Sequence, residues 1–225
     1  MPIAARTVKR GLYVQYGCGL CAPDAWLNFD ASPRLRIERI HGLRMLLRAT
    51  AGILFPPTAR PGDIVRGLPV PDGTADGVYC SHVLEHLPRD DVPIALRNTF
   101  RMLQPGGAFR LVVPDLQWRV RHYLDDAARA DPSAADRFLE SSALGARSRP
   151  RMPAAAIRRL IGQSAHLWMY DFAALARLLA EAGFGCIRRC TIGDSGDPAF
   201  ALVEQTDRFS EAGESELAIE ARRLA

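Results

Sequence analysis

Two kinds of hydrophobic pattern alternate along the chain: short apolar runs, and longer stretches in which apolar residues recur every three or four positions. The first kind is typical of buried β-strands and the second of amphipathic α-helices. Strands are predicted at residues 11–16, 26–30, 63–68, 77–81, 108–113, 186–192 and 216–221. Helices are predicted at residues 33–55, 90–103 and 171–182. This alternation indicates a mostly parallel sheet that is covered on both faces.

The stretch before the last predicted helix is less regular. Residues 116–166 have a helical periodicity that breaks at Pro132, Gly145, Pro150 and Pro153. We expect residues 116–165 to form a helical cap over the carboxyl ends of the strands, where ligands bind in open α/β sheets. The whole chain, residues 1–225, is then a single domain.

The composition mainly excludes other classes of protein, such as membrane-spanning and secreted ones. The chain has 225 residues, of which 48% are hydrophobic and 24% are charged, as is ordinary for a globular domain with one core. No apolar run approaches the roughly 18–20 residues of a membrane span. Residues 1–10 also lack the apolar region of a secretory signal. We therefore expect a cytoplasmic protein without a transmembrane segment, whose oligomeric state is open, with a dimer as one option.

Positive charge in this chain is almost entirely arginine. The formal net charge is +4, and Lys9 is the only lysine. Because alanine is also abundant, this composition favours codon bias in a GC-rich bacterial genome over a patch for nucleic acid. Three interpretations of the arginine-rich segment 34–60 remain open. It is a lid helix, an ordinary solvated face, or a docking surface whose partner is RNA, a membrane or an acidic substrate.

Five scattered cysteines argue against a disulfide framework and for a reducing compartment. Cys18 and Cys21, together with Cys186 and Cys190, offer four potential zinc ligands. Cys186 and Cys190 fall on one predicted strand, about 13 Å apart, which is too far for one tetrahedral ion. No metal site is expected.

Residues 14–19 read Val-Gln-Tyr-Gly-Cys-Gly, a predicted strand that runs into a tight glycine turn. Such a turn lets the backbone approach a nucleotide closely, because no side chain is in the way. The third glycine of a dinucleotide fingerprint is absent, and no lysine follows as in a Walker-type phosphate loop. An ordinary tight turn gives the same pattern, so the motifs that follow decide the interpretation.

Three further motifs come in order. Residues 26–30 read Trp-Leu-Asn-Phe-Asp, residues 81–88 read Ser-His-Val-Leu-Glu-His-Leu-Pro, and residues 103–115 read Leu-Gln-Pro-Gly-Gly-Ala-Phe-Arg-Leu-Val-Val-Pro-Asp. With the glycine turn, this set resembles the class I S-adenosylmethionine-dependent methyltransferases, in particular the small bacterial type-11 methyltransferase group. The resemblance covers residues 12–114 and resumes at residues 166–189. It implies an α/β, doubly wound, Rossmann-like sheet of about seven strands with the last strand antiparallel.

The resemblance also implies a binding site for the cofactor S-adenosyl-L-methionine. The residues at the matching cofactor-binding positions are Gly17, Gly19, Asp30, Asp63, Ile64 and Ser81. In the family, the glycine turn backs the methionine part of the cofactor, the acid after the second strand binds the ribose, and the acid of the next turn receives the adenine amino group.

Two departures from the family pattern concern cofactor affinity. The family often has an acid where this chain has Gln15, and an amide cannot balance a sulfonium charge. Only ten residues separate Gly19 from Asp30, so we expect the usual first helix to be missing or one turn long.

Methyl transfer from a sulfonium needs alignment and desolvation, and it needs a general base only when the acceptor loses a proton. His86 and His82 follow the fourth strand and are the candidate catalytic residues, with His86 as the general base. The alternative role of His86 is to hold its own loop. His166, Trp168 and Tyr170 are candidate substrate-binding residues, with core packing as the alternative for Trp168.

The predicted function is methyl transfer from S-adenosylmethionine to a small molecule or a glycan precursor, at oxygen. One alternative is an RNA or protein methyltransferase that docks through segment 34–60. Another is a non-catalytic partner subunit that keeps the cofactor fold. Nucleic acid is the less expected partner, because no added RNA-binding domain is visible. The Asn- or Asp-Pro-Pro-aromatic signature of nucleobase-amino methyltransferases is also absent after the fourth strand.

Overall fold

One mixed sheet organises the protein. A computed structural model of the chain describes residues 11–40, 54–145, 165–209 and 214–224. Within these ranges, seven strands form a sheet in the order β3-β2-β1-β4-β5-β7-β6. The strands are β1 Tyr13–Tyr16, β2 Leu27–Asp30, β3 Ala59–Pro61, β4 Ala75–Ser81, β5 Leu103–Pro114, β6 Phe184–Cys190 and β7 Glu216–Arg223. Only β7 runs against its neighbours β5 and β6, so the predicted sheet with an antiparallel last strand is confirmed.

Five α-helices lie in the same described ranges. They are α1 Pro33–Glu38, α2 Val92–Met102, α3 Leu116–Ala128, α4 Ala134–Ser141 and α5 Phe172–Glu181. Short 3-10 helices lie at Leu84–His86, Pro198–Leu202 and Thr206–Arg208. The predicted helices at 90–103 and 171–182 are confirmed, each ending within two residues of its expected limits.

The ends of α5 show why its limits were visible in the sequence. The Asp171 carboxylate accepts the Ala174 backbone N–H at 2.8 Å, as an N-terminal capping residue does. Gly183 follows the helix with φ of 101°, a left-handed conformation that glycine adopts without strain. Both signals are local in sequence, and each acts within one turn of the helix.

The two faces of the sheet are covered differently. Helices α2 and α5 bury Leu96 and Leu175 in the larger apolar cluster on one face. On the other face, the described residues place Phe200 of the 3-10 helix Pro198–Leu202 against Trp26 and Tyr79. The long loop after β6, which has no periodicity of its own, therefore covers this second face of the sheet.

Four predicted elements need correction; one of them is β5, which begins at Leu103, five residues before its predicted start. No strand forms at residues 63–68; β3 is Ala59–Pro61, and Ile64 is buried in a turn beyond its end. Helix α1 ends at Glu38, and the Phe55 N–H returns to donate to the Glu38 carboxylate at 2.9 Å. Residues 41–53 of the helix predicted at 33–55 lie outside the described residues. Strand β6 begins two residues before its predicted start and ends at Cys190.

The segment predicted as a cap contains two helices in its described part, α3 and α4. Asp115 caps α3 by accepting the Gln117 N–H at 2.8 Å, directly after β5 ends. Aromatic contact between Tyr123 and Phe138 joins the two helices. Residues 146–164 of the predicted cap lie outside the described residues.

Candidate active site

A cavity of about 610 Å³ opens at the carboxyl ends of β1, β2 and β4. The order of the sheet reverses between β1 and β4, and ligands of open α/β sheets bind at such a switch point. The cavity is lined by Tyr16, Gly17, Gly19, Asp30, Ala31, Ser32, Pro33, Gly62, Asp63, Ile64, Ser81, His82, Val83, His86, Leu87 and Arg208. The six predicted cofactor residues and both predicted catalytic histidines are thus brought together in one cavity.

The glycine turn after β1 forms one wall of the cavity. Gly17 has φ of 71°, and a Cβ atom there would lie 2.1 Å from the Val83 side chain. Gly19 has φ of 53°, and a Cβ atom there would meet no atom within 4 Å. The first glycine is therefore required by packing, whereas the second leaves open space beside the backbone for a ligand.

Asp30 ends β2 and orders the rim of the cavity. One oxygen of its buried carboxylate accepts the Gly19 N–H at 2.9 Å, and the other accepts the Ser32 N–H at 2.8 Å. Each carboxylate oxygen has a second lone-pair site, so the group can still accept hydrogen bonds from a ligand. A negative charge is thereby fixed at the end of β2, facing the glycine turn.

The turn after β3 supplies the next part of the wall. The Asp63 carboxylate accepts the Val65 N–H at 2.9 Å, and Ile64 is almost fully buried beside it. A Cβ atom on Gly62 would lie 2.7 Å from the Phe29 ring, so the turn packs closely on β2. The arrangement places an acid beside an apolar surface at the cavity.

His82 follows Ser81 at the end of β4 in a conformation that histidine rarely adopts. Its φ is 52°, and its N–H donates to the Val112 carbonyl at 3.0 Å. Its Nδ1 lies 3.0 Å from Glu85 Oε1, and its Nε2 lies 3.6 Å from Glu216 Oε2. Burial lowers the pKa of His82, but the hydrogen bond and charge of Glu85 outweigh burial, so the pKa is raised above its ordinary value.

His86 and His166 meet at the edge of the cavity. Their rings lie 4.9 Å apart in an edge-to-face arrangement, and of the two only His86 is among the cavity-lining residues. Burial is the main cause that lowers the pKa of His166, and the negative charge of Glu85 offsets part of this effect by raising the pKa. His166 is therefore a neutral imidazole at neutral pH.

The candidate substrate-binding residues lie behind the cavity wall rather than in it. The N–H groups of Leu167 and Trp168 donate to the Glu85 carbonyl at 2.7 and 3.2 Å, which docks this segment on the turn at Leu84–His86. Trp168 is 48% exposed, so it is not a core residue, whereas Tyr170 is buried. These two residues and His166 do not appear among the residues that line the cavity.

Gln15 does not lie in the cavity wall. It is buried, and its side-chain amide donates to the Cys21 carbonyl at 2.7 Å and to Asn28 Oδ1 at 2.6 Å. A carboxylate could not donate in either contact. The amide therefore braces the shortened connection between β1 and β2, in which no helix forms between Gly19 and Leu27, as expected.

Arg208 is a charged cavity residue that the sequence analysis did not identify. It enters from the 3-10 helix Thr206–Arg208, and its guanidinium donates to the Val203 carbonyl at 2.8 Å. Its positive charge acts on the neighbouring Cys18 thiol. No local pattern indicated this residue, because the loop that carries it has neither strand nor helix periodicity.

The described contacts of Cys18 and of two arginines in segment 34–60 are structural. Cys18 is buried in the glycine turn, and Cys186 is exposed on β6. In segment 34–60, Arg34 pairs with Glu38 at 2.9 Å, and an Arg39 N–H donates to the Pro56 carbonyl at 3.0 Å. The described arginines of this segment thus include two that hold α1 in place.

The sequence predicted no metal site, and that prediction rested on the cysteines. Among the described residues, a different group brings three potential ligands together: Glu85, His86 and His166. One ligand atom from each lies within 4.8 Å of the others.

Among the described residues, no helix has the length and apolar character needed to cross a membrane.

The strand order, the antiparallel β7 and a glycine-lined cavity at the switch point define a class I cofactor-binding α/β fold. A family model described as a methyltransferase domain matches residues 18–188. The chain therefore belongs to this methyltransferase family, which confirms the predicted S-adenosylmethionine-dependent methyltransferase at the level of the family. The narrower assignment to a bacterial type-11 group stays a prediction.

Comparison with individual proteins gives more distant similarities. A probable methyltransferase, ltbC of Aspergillus luteorubrus, is 35% identical over 88 residues, which cover 33% of this chain and 30% of that protein. Human N-acetylserotonin methyltransferase, solved with S-adenosylmethionine, is 16% identical with a TM-score of 0.47, over 96% of this chain and 48% of that one. A methyltransferase from Methanosarcina mazei is 16% identical with a TM-score of 0.48, over 95% and 92%. The chain thus spans about half or less of the first two relatives.

Proposed function

We propose that the protein transfers a methyl group from S-adenosylmethionine to a hydroxyl oxygen of a small molecule or a glycan precursor. The observation that supports it most is the convergence of Gly17, Gly19, Asp30 and Asp63 on one cavity at the switch point of the sheet. In this proposal, Asp30 accepts the ribose hydroxyls, and the turn at Asp63 and Ile64 holds the adenine. The glycine turn and Ser81 lie beside the methionine part.

Arg208 completes the proposed cofactor site. A guanidinium beside the glycine turn matches the carboxylate at the methionine end of the cofactor, because arginine binds carboxylates with paired hydrogen bonds.

The acceptor side is proposed at the two histidines of the cavity wall. The cofactor carries the reactivity, so the chain's own residues align the acceptor oxygen with the methyl group and exclude water. We assign His86 to promote loss of the acceptor proton, because it faces the cavity. His82 is assigned to hold this wall in place, since both of its ring nitrogens face carboxylates. Residues 116–165 are proposed to cap this side of the single domain.

Calorimetric titration with S-adenosylhomocysteine, the spent cofactor, tests the site. Asp30→Ala should weaken binding at least about tenfold, because it removes charge-assisted hydrogen bonds worth roughly 1.5–3 kcal/mol each. Asp72→Ala is the matched control, since Asp72 is an exposed acid paired with Arg101 outside the cavity. Equal affinities for the two variants, or no binding by the parent protein, would contradict the proposal.

The acceptor class has its own assay. Methyl-labelled S-adenosylmethionine is incubated with separate pools of small alcohols, sugar nucleotides, RNA and denatured protein. Label in the alcohol or sugar-nucleotide pool supports the proposal, and label confined to RNA or protein overturns the acceptor assignment.

A further inference from the structure

We infer that Glu85, His86 and His166 form a binding site for a divalent cation of the zinc class, at the wall of the cavity. The three residues supply two imidazole nitrogens and one carboxylate oxygen, and these atoms lie within 4.8 Å of one another. Two histidines and one glutamate are a ligand set used by catalytic zinc sites. The inference deepens the proposed function, on which its catalytic consequence rests, and concerns the same cavity.

The buried carboxylate of Glu85 is the strongest reason to expect an ion. Glu85 is completely buried, and its Oε1 has a hydrogen-bond partner, the Nδ1 of His82. Its second oxygen, Oε2, is also buried and has no hydrogen-bond partner among the described residues. Leaving a buried polar oxygen unpaired is costly, and bound metal ions are one of the ways in which proteins satisfy such groups.

Two neighbours of Glu85 also have a buried polar atom that lacks a hydrogen-bond partner among the described residues. In the part of the chain that the structure describes, the buried His166 Nδ1 and Tyr170 hydroxyl also have no hydrogen-bond partner, and the charge of Glu85 acts on both residues. Buried polar atoms of Glu85, His166 and Tyr170 that lack described partners therefore lie near one another, and their lone pairs are available to bind an ion.

The backbone holds the three ligands in position before any ion binds. Glu85 and His86 belong to one 3-10 turn, and the Leu167 N–H donates to the Glu85 carbonyl at 2.7 Å. The His166 N–H donates to the Ala143 carbonyl at 3.2 Å. Ligands of a tetrahedral zinc ion lie roughly 3.4 Å apart, as zinc–nitrogen bonds of about 2.1 Å require. Small side-chain rotations therefore close the observed spacing.

A second layer of contacts orients the carboxylate ligand. His82 binds Glu85 Oε1 at 3.0 Å and faces Glu216 at 3.6 Å. Groups that bind a ligand's outer atoms commonly fix its orientation at metal sites. Three protein ligands leave a tetrahedral ion one position, for water or for the acceptor oxygen. An acceptor hydroxyl bound there would release its proton to solvent water more readily, and His86 would act on the acceptor as a ligand of the ion.

Zinc binding by the full chain, without an affinity tag and after treatment with a chelator, tests the inference directly. Titration with zinc chloride against a chromogenic chelator should reveal one site per chain. His166→Gln should weaken it at least about 100-fold, while His122→Gln should leave it unchanged because His122 is exposed on α3. His166→Gln is chosen first because Glu85 is fully buried; circular dichroism checks its fold, and Glu85→Gln is the second variant.

Each outcome separates this inference from the proposed function. Absence of zinc binding, or equal binding by the parent and both variants, overturns the cation site. A cobalt-substituted protein whose spectrum shows thiolate ligation places the ion on cysteine and also overturns it. S-adenosylhomocysteine binding is measured in parallel on the same samples. Cofactor binding without zinc binding overturns only the cation site, and zinc binding without cofactor binding overturns only the proposed function.

Discussion

Cys18 illustrates how the surroundings of one residue set its chemistry. It stands between the two glycines of the turn, and its backbone N–H donates to the Phe29 carbonyl at 3.1 Å. Burial is the main cause that raises the pKa of its thiol to about 12, and the charge of Asp30 is the next. The thiol is therefore protonated at neutral pH and serves as a small packing residue of the turn.

Thiol labelling tests this assignment. At neutral pH we expect a maleimide to label the exposed Cys186 quickly and to leave Cys18 unmodified until the protein unfolds, because only the thiolate reacts. Mass spectrometry of tryptic peptides measures both sites in one sample. Labelling of Cys18 at the rate of Cys186 would contradict the burial of the glycine turn.

At the scale of elements, α5 depends on both its cap and its packing. Asp171 satisfies a backbone N–H of the first turn, and Leu175, Leu178 and Leu179 bury one face of the helix in the core. A helix of ten residues is marginal in water by itself, so packing supplies most of its stability. The cap adds a smaller contribution and determines where the helix begins.

Removal of the cap should have a modest effect on the whole fold. Asp171→Ala should lower the free energy of unfolding by about 1 kcal/mol, or roughly 2–4 °C in melting temperature for a chain of this size. Asp171→Asn is the control, since its amide oxygen can still accept the Ala174 N–H. Thermal denaturation followed by circular dichroism compares the three proteins. If Asp171→Asn lowers the melting temperature as much as Asp171→Ala, the negative charge and not the hydrogen bond stabilises the N-terminal end of α5.

At the scale of the whole molecule, a buried ion cluster fastens the long loop after β6 to the centre of the sheet. Arg110 of β5 is fully buried, and its Nε donates to Glu204 at 2.6 Å. The same guanidinium donates to the Thr191 carbonyl at 2.8 Å and pairs with Asp194 at 3.1 Å. Arg208 lies a few residues beyond Glu204, so this cluster anchors the loop that supplies the positive charge of the cavity.

Breaking this cluster should weaken both the fold and the cavity. Glu204→Ala leaves a buried guanidinium with a reduced counter-charge, which should cost about 3 kcal/mol, near the low end for broken buried pairs because Asp194 and Glu220 remain. Urea denaturation measures the loss. The double variant Arg110→Met with Glu204→Leu should recover most of it, since no buried charge is then left unpaired. If the double variant is no more stable than Glu204→Ala, the lost stability has another origin, such as packing.

Most of the fold could be predicted from the sequence because its signals are local. The cap and stop of α5 and the apolar runs of β1, β2, β4, β5 and β7 each depend on a few neighbouring residues. The third strand could not be predicted in the same way. β3 has only three residues, Ala59–Pro61, and the apolar positions that suggested residues 63–68 belong to a turn packed on the sheet.

By itself, the sequence identified the cavity residues that are proposed to bind the cofactor. The glycine turn, Asp30, Asp63 and Ser81 each follow a strand or turn at the same edge of the sheet, so parallel strands bring them together. The tertiary structure alone decided that Arg208 enters the cavity, that Gln15 faces a neighbouring strand, and that His166 meets Glu85. The physical reason is that these contacts join segments distant in sequence through irregular loops. The path of such a loop is set by what it packs against, which no local periodicity records.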